Sequence, residues 1–205
     1  MKKLMLVTSA VFHPLLMATY SCIILYLILP VVFSPIPIDA IPYFIITIFL
    51  TTVMVPALSV LMMKYSKQIS HFDIPIRQER KIPFLAIALF YGLTTYMINA
   101  RMSLNPMLLK LMILVTSLIL LIYLINLKFK ISVHAAAIWG VAGFFSALSS
   151  FYYAQNLTLM LALIFIASGV TVYARLKLGR HSPTESWSGA LLGFLYFYLG
   201  YFLIG

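Results

Sequence analysis

Residues 108–126 read LLKLMILVTSLILLIYLIN, with one cation near the start, Lys110, and no acid. About 20 apolar residues in a row cross the roughly 30 Å hydrocarbon core of a bilayer as a helix, in which every backbone polar group is satisfied internally. The same reading extends outward in both directions. It places helices at 12–33, 43–63, 84–100, 108–126, 134–154, 157–174 and 186–204. The breaks between them are Ser34-Pro35-Ile36-Pro37, the polar run from Lys64 to Pro83, Arg101 to Pro106, Lys128-Phe129-Lys130, Gln155-Asn156, and Arg175 to Glu185. The expectation is an all-α, polytopic transmembrane helical bundle of six to seven spans, forming one integral-membrane domain over 1–205 in a cell membrane.

Composition excludes most alternatives. The 205 residues are 63% hydrophobic and only 9% charged, against about 25% charged in soluble domains. The formal net charge is +10, but too little polar sequence exists to build a soluble basic face, so nucleic acid is not an expected partner. Cys22 is the single cysteine, and there is no Cys/His cluster with zinc spacing. The carboxylates are Asp39, Asp73, Glu79 and Glu185, too few for a two-metal or calcium site, so no metal or other cofactor is expected. Met-Lys-Lys followed by an apolar run resembles a signal peptide, but the run continues to Phe33 without a small-residue cleavage site and reads as a retained first span.

The basic residues sort to one face of this map. Lys2, Lys3, Lys64, Lys67, Arg77, Arg80, Lys81, Lys128, Lys130, Arg175, Lys177 and Arg180 fall together, leaving Arg101 and Lys110 opposite. Positive-inside counting makes the first face cytoplasmic, with the N-terminus inside and the C-terminus outside. Gly189 and Gly193 have the small-xxx-small spacing that lets helix backbones approach, and Gly140 and Gly143 are expected to act similarly.

Three polar loops on the basic face carry the chemistry. They are Asp73-Ile-Pro-Ile-Arg77-Gln-Glu79-Arg80-Lys81-Ile-Pro83, Lys130-Ile-Ser132-Val-His134, and Arg175-Leu-Lys-Leu-Gly-Arg180-His181-Ser-Pro-Thr-Glu185. Guanidinium forks donate paired, charge-assisted hydrogen bonds to a tetrahedral anion, so Arg77, Arg80 and Arg175 suit a phosphoryl group. A histidine facing that group can attack phosphorus if a carboxylate holds its other ring nitrogen, and His181 and Glu185 are four residues apart. A second histidine can protonate the leaving alkoxide, and His134 is the one in a neighbouring loop. His13 and His71 have no such company and read as interfacial or loop residues, while Trp139 and Trp187 read as packing and anchors.

Arg175-x5-His181-x3-Glu185, followed by Ser-Gly-Ala-Leu-Leu-Gly, resembles the third signature of the type 2 phosphatidic acid phosphatase (PAP2) superfamily. Ser132-Val133-His134 resembles its second signature, Pro-Ser-Gly-His. The resemblance is specific over 130–193. It implies His181 as nucleophile, Glu185 as its orienting acid, His134 as general acid, and Ser132 with Arg175 as phosphate holders. The chain departs from the signatures with Ala at 174, Val at 133, Ile at 131 and Glu at 185. The first signature, Lys-x6-Arg-Pro, is absent as written, and Arg77, Arg80 and Lys81 stand as its nearest substitute, with Lys130 a further substrate-binding candidate.

The family has six helices and commonly an extracytoplasmic active face, which differs from the seven spans and inward basic loops read above. The expected function is a lipid phosphate phosphatase acting through phosphohistidine, with a lipid phosphate and membrane lipids as its partners. The alternatives are a non-catalytic lipid-phosphate binder or transporter, and a lipid phosphotransferase.

Overall fold

A computed structural model describes residues 2–74, 76–152 and 155–204. It is helical, with no strand among the described residues. The helices are α1 (Lys2–Val11), α2 (Met17–Ile28), α3 (Ile41–Phe49), α4 (Val55–Tyr65), α5 (Lys81–Met102), α6 (Pro106–Asn126), α7 (Val133–Ser149), α8 (Gln155–Lys177) and α9 (Pro183–Leu203). Among the described residues, six helical stretches are long and apolar enough to cross a membrane: Lys2–Ile28, Ile38–Tyr65, Gln78–Met102, Pro106–Asn126, Leu157–Lys177 and Pro183–Leu203. The chain is accordingly a multi-pass membrane protein by length and composition.

The spans differ from the sequence expectation at several boundaries, the first ending at Ile28 rather than 33, and two of the differences matter most. The first span begins ten residues earlier than 12, because residues 2–11 are already helical. The break falls at His13-Pro14, where proline lacks the N–H an α-helix needs and the chain takes a short 3₁₀ turn, Pro14–Leu16. The span read at 134–154 stops at Ser149, so α7 is 17 residues long and falls short of the other six. Residues 153 and 154 lie outside the described residues.

Prolines and short polar side chains account for the other interruptions. Pro56 has no amide to donate back along the helix, and the preceding Leu50–Met54 widens into a π-turn in which Val55 N–H reaches Leu50 O. α6 starts at Pro106 behind Asn105, whose side chain accepts the Met107 amide at 3.0 Å.

The chain divides into two compact units. One joins Met1–Met17 to Ile131–Gly205 and so contains α1 with α7, α8 and α9; the other is Ala18–Lys130. In the first, α7 is the centre: twelve of its residues are buried, including Phe144 and Phe145. It packs on α9 backbone to backbone. A Cβ at Gly193 would lie 2.0 Å from Ala136 O, one at Gly143 2.3 Å from Phe194 O, and one at Gly189 2.6 Å from Ser132 O. These glycines are therefore contact points, as their spacing predicts. Ala135 of α7, Val172 of α8 and Ala190 of α9 fill the seam with small side chains, covered by Trp139 and Leu176.

In the second unit α5 pairs with α6, and the loop before α5 folds on its own charges. Ser70 donates to Glu79 Oε2 through its amide at 2.8 Å and its hydroxyl at 2.9 Å. Lys64 Nζ donates to Ser70 O. Exposed apolar side chains such as Leu89, Leu93 and Met97 of α5 remain on the outside, where a bilayer solvates them as no aqueous phase would.

Candidate functional site

The third polar loop forms because α8 must end and α9 must begin within a few residues. Arg175 and Lys177 sit in the last turn of α8, where cations complement the carbonyl end of the helix dipole. Gly179 then takes φ +64°, the left-handed conformation that closes a helix. The amides of Leu178, Gly179 and Arg180 bond to the carbonyls of Ala174, Leu176 and Arg175. Two residues later Ser182 caps α9: its hydroxyl accepts the Glu185 amide at 3.1 Å, and Pro183 occupies the first helical position. Glu185 completes the reciprocal capping box by reaching back to the Ser182 amide at 3.4 Å.

The same Glu185 oxygen lies 2.8 Å from His181 Nδ1. One carboxylate oxygen thus fixes both the helix start and the imidazole. Because a carboxylate only accepts, Nδ1 carries the proton, and the lone pair of a neutral His181 ring resides on Nε2. His181 is 7% exposed, and Glu185 is half-buried.

The second polar loop is tied to the third by the main chain. Ser132 N–H donates to Glu185 O at 3.0 Å, a reach that the glycine at 189, against Ser132 O, makes possible. Ser132 is the N-cap of α7, with its Oγ accepting the Ala135 amide at 3.4 Å. Any contact it makes with a substrate shares that hydroxyl with the cap. His134, second residue of α7 and outside the six spans, is 9% exposed. Burial first, then the positive charges of Arg175, His13 and His181, hold it well below the usual imidazole range. These four groups therefore share one electrostatic neighbourhood.

Arg175 is 3% exposed. Its Nη1 donates to Ser9 Oγ at 2.7 Å, and Ser9 Oγ lies 3.4 Å from His134 Nε2. His13 stands edge-on to His134, ring centroids 5.3 Å apart, with its Nδ1 accepting the Leu15 amide at 3.3 Å. Sequence reading left α1 out of the site and gave His13 no company; the structure corrects this, placing both residues beside His134. The signal available was their spacing, Ser9 and His13 four apart just before Pro14.

The first polar loop belongs to the other unit, and its two arginines bind main chain. Arg77 Nη1 donates to Leu127 O at 2.7 Å and Asn126 O at 3.5 Å, at the carbonyl end of α6. Asn126 Nδ2 returns a bond to Arg77 O at 3.1 Å. Arg80 is buried, with Nε on Ile74 O at 2.8 Å and its guanidinium 5.9 Å from the Phe84 ring centroid. Lys81 is exposed, Lys130 half-buried, and His71 exposed. Among the described residues no three His, Cys, Asp or Glu side chains gather as a metal site would need.

No family model matches this chain, and neither a curated protein nor a solved structure matches it.

Proposed function

We propose that the α1, α7–α9 unit is the catalytic part of an integral-membrane lipid phosphate phosphatase that works through a phosphohistidine. The observation that carries this reading is the buried His181, oriented at 2.8 Å by Glu185, whose main chain accepts the amide of Ser132 beside His134 at 3.0 Å, with Arg175 and His134 joined through Ser9 Oγ. Arg175 and imidazoles that can each take up a proton face a single carboxylate there, and the ligand that such a set favours is an anion.

In this reading Arg175 binds phosphoryl oxygens, and the Nε2 lone pair of His181 attacks phosphorus. The bond from phosphorus to the lipid alkoxide breaks, and that oxygen takes a proton from His134. Burial first, and then the neighbouring cations, hold His134 deprotonated; a phosphoryl dianion beside the ring favours its protonated form, so His134 acquires its proton with the substrate. In the second step water attacks the phosphohistidine, His134 accepts the water proton, and the N–P bond breaks to release inorganic phosphate. The apolar tail stays against the helices.

The test is phosphate release by the purified protein from phosphatidic acid, phosphatidylglycerol phosphate and undecaprenyl diphosphate. Turnover of one of these is expected, unaffected by EDTA and abolished in His181→Ala. Turnover retained in that variant overturns the nucleophile assignment. The Ser9 contact to His134 Nε2 also suits a second reading, a lipid-phosphate binder, because it engages the nitrogen that general-acid chemistry requires. Tight lipid binding without phosphate release selects the binder. A phosphorylated acceptor lipid in place of inorganic phosphate selects a phosphotransferase.

A further inference from the structure

α1 is an apolar helix, KKLMLVTSAV, whose one buried residue is a serine. Its leucines and valines, Leu4, Leu6, Val7 and Val11, are exposed, while Ser9 is 7% exposed. In a membrane span large apolar side chains face lipid and small ones face neighbouring helices, so it is the partners of Ser9, not its inward position, that carry meaning. Here a hydroxyl is inserted between two groups that the proposed reaction uses: it lies 2.7 Å from Arg175 Nη1 and 3.4 Å from His134 Nε2. The guanidinium can only donate, so Ser9 Oγ accepts from Arg175, and its own O–H is the donor that faces His134. A hydroxyl rotates about one bond, so the same proton can turn to an oxygen arriving between Arg175 and His134 without moving the helix.

We propose that Ser9 is a substrate-binding residue. Its hydroxyl donates to a phosphoryl oxygen held by Arg175, which makes α1 a wall of the site. The proposal rests on the phosphoryl reading given above and adds to it a ligand from the far end of the chain. As Ser9 turns to the anion, His134 Nε2 is released to face the leaving oxygen, so one rotation couples occupancy to the arrangement that the transfer requires. The chemistry recognised is a phosphoryl oxyanion, whether free or on a lipid headgroup.

The experiment uses the full-length protein in detergent. Binding is measured for tungstate, and for mixed micelles of phosphatidic acid against phosphatidylcholine alone, with phosphate release recorded in parallel. Ser9→Ala is expected to weaken tungstate and phosphatidic acid binding about 10- to 100-fold, the worth of one hydrogen bond to a charged group. Ser9→Thr, which keeps the hydroxyl, is expected to restore most of it and guards against a folding defect in the alanine variant. In an Arg175→Lys background Ser9→Ala is expected to cost a further several-fold. If it costs nothing there, Ser9 only positions Arg175 and the proposal falls. Wild-type turnover with Ser9→Ala unchanged overturns the role of Ser9 and leaves the phosphatase reading standing. Tungstate binding lost in Ser9→Ala, with no phosphate release by the wild type, keeps Ser9 as an anion ligand and removes the hydrolase. A wild type that binds neither tungstate nor phosphatidic acid overturns both.

Discussion

Arg77 and Arg80 in the Ala18–Lys130 unit and Arg175 in the other are the same residue type beside helix ends, yet they are bonded differently. Arg77 donates to the carbonyls of Asn126 and Leu127, and Arg80 to that of Ile74, so both are tied to backbone that any side chain would leave in place. Arg175 donates to the side chain of Ser9, which in turn approaches His134. Glu79 and Glu185 differ in the same way: the first holds the backbone and hydroxyl of Ser70, whereas the second holds an imidazole. A guanidinium on carbonyls closes a loop. A guanidinium among hydroxyl and imidazole groups has partners that can rotate, exchange protons and admit a ligand.

Substitutions can break this contrast, beginning with the largest effect. His181→Gln keeps a polar side chain and removes the nucleophile; phosphate release is expected to fall by about 10³-fold or more, read by single-turnover assay. Arg175→Ala is expected to cost about 10²- to 10³-fold in kcat/KM, with KM raised as well, because the donor to the developing charge is gone. Glu185→Gln separates the two duties of that residue. Glutamine still completes the capping box, so the melting temperature stays near wild type, but the amide no longer matches the imidazolium that transfer requires, and turnover is expected to slow by about 10²-fold.

In the other unit the same type of change should act on stability alone. Asn126→Ala removes the bond to Arg77 O from a residue that is 1% exposed. It is expected to cost about 1–3 kcal/mol by denaturant unfolding in detergent, with turnover per folded molecule within about twofold, since 1.4 kcal/mol of lost transition-state stabilisation would already show as tenfold. The smallest effect is on pH dependence. His134 in the folded chain lies below its ordinary value of 6.5, so below that pH the unfolded chain binds a proton that the folded one refuses. Stability is therefore expected to fall as pH drops from about 6.5 toward the folded value, and this slope should be absent in His134→Ala.

Much of the architecture was legible because membrane helices announce themselves by length and apolarity. The runs at 43–63, 84–100, 108–126 and 157–174 each lie inside a helical stretch long enough to span, and 186–204 overruns its stretch by one residue. The third polar loop was legible too, since the spacing of His181 and Glu185 alone brings ring and carboxylate together across one helix start. What escaped was long-range. Residues 2–11 hold two lysines, a threonine and a serine, so they look like a flank rather than a helix, and nothing local says that Ser9 meets a residue 166 positions away. The Arg77/Arg80/Lys81 run matched the charge type of an anion cradle. Spacing carries no information on whether a guanidinium faces a ligand or the carbonyls of Asn126 and Leu127, because the direction of the loop backbone decides that.

The central claim, that the His181–Glu185 pair and its neighbours accept a phosphoryl group, is tested most directly by rapid quench. The purified protein is mixed with radiolabelled phosphatidic acid, phosphatidylglycerol phosphate or undecaprenyl diphosphate, stopped in alkali, and mapped for protein-bound label. Alkali-stable, acid-labile phosphate on His181, absent in His181→Gln, is the predicted result; phosphate release with no label on His181 at any time point would contradict it.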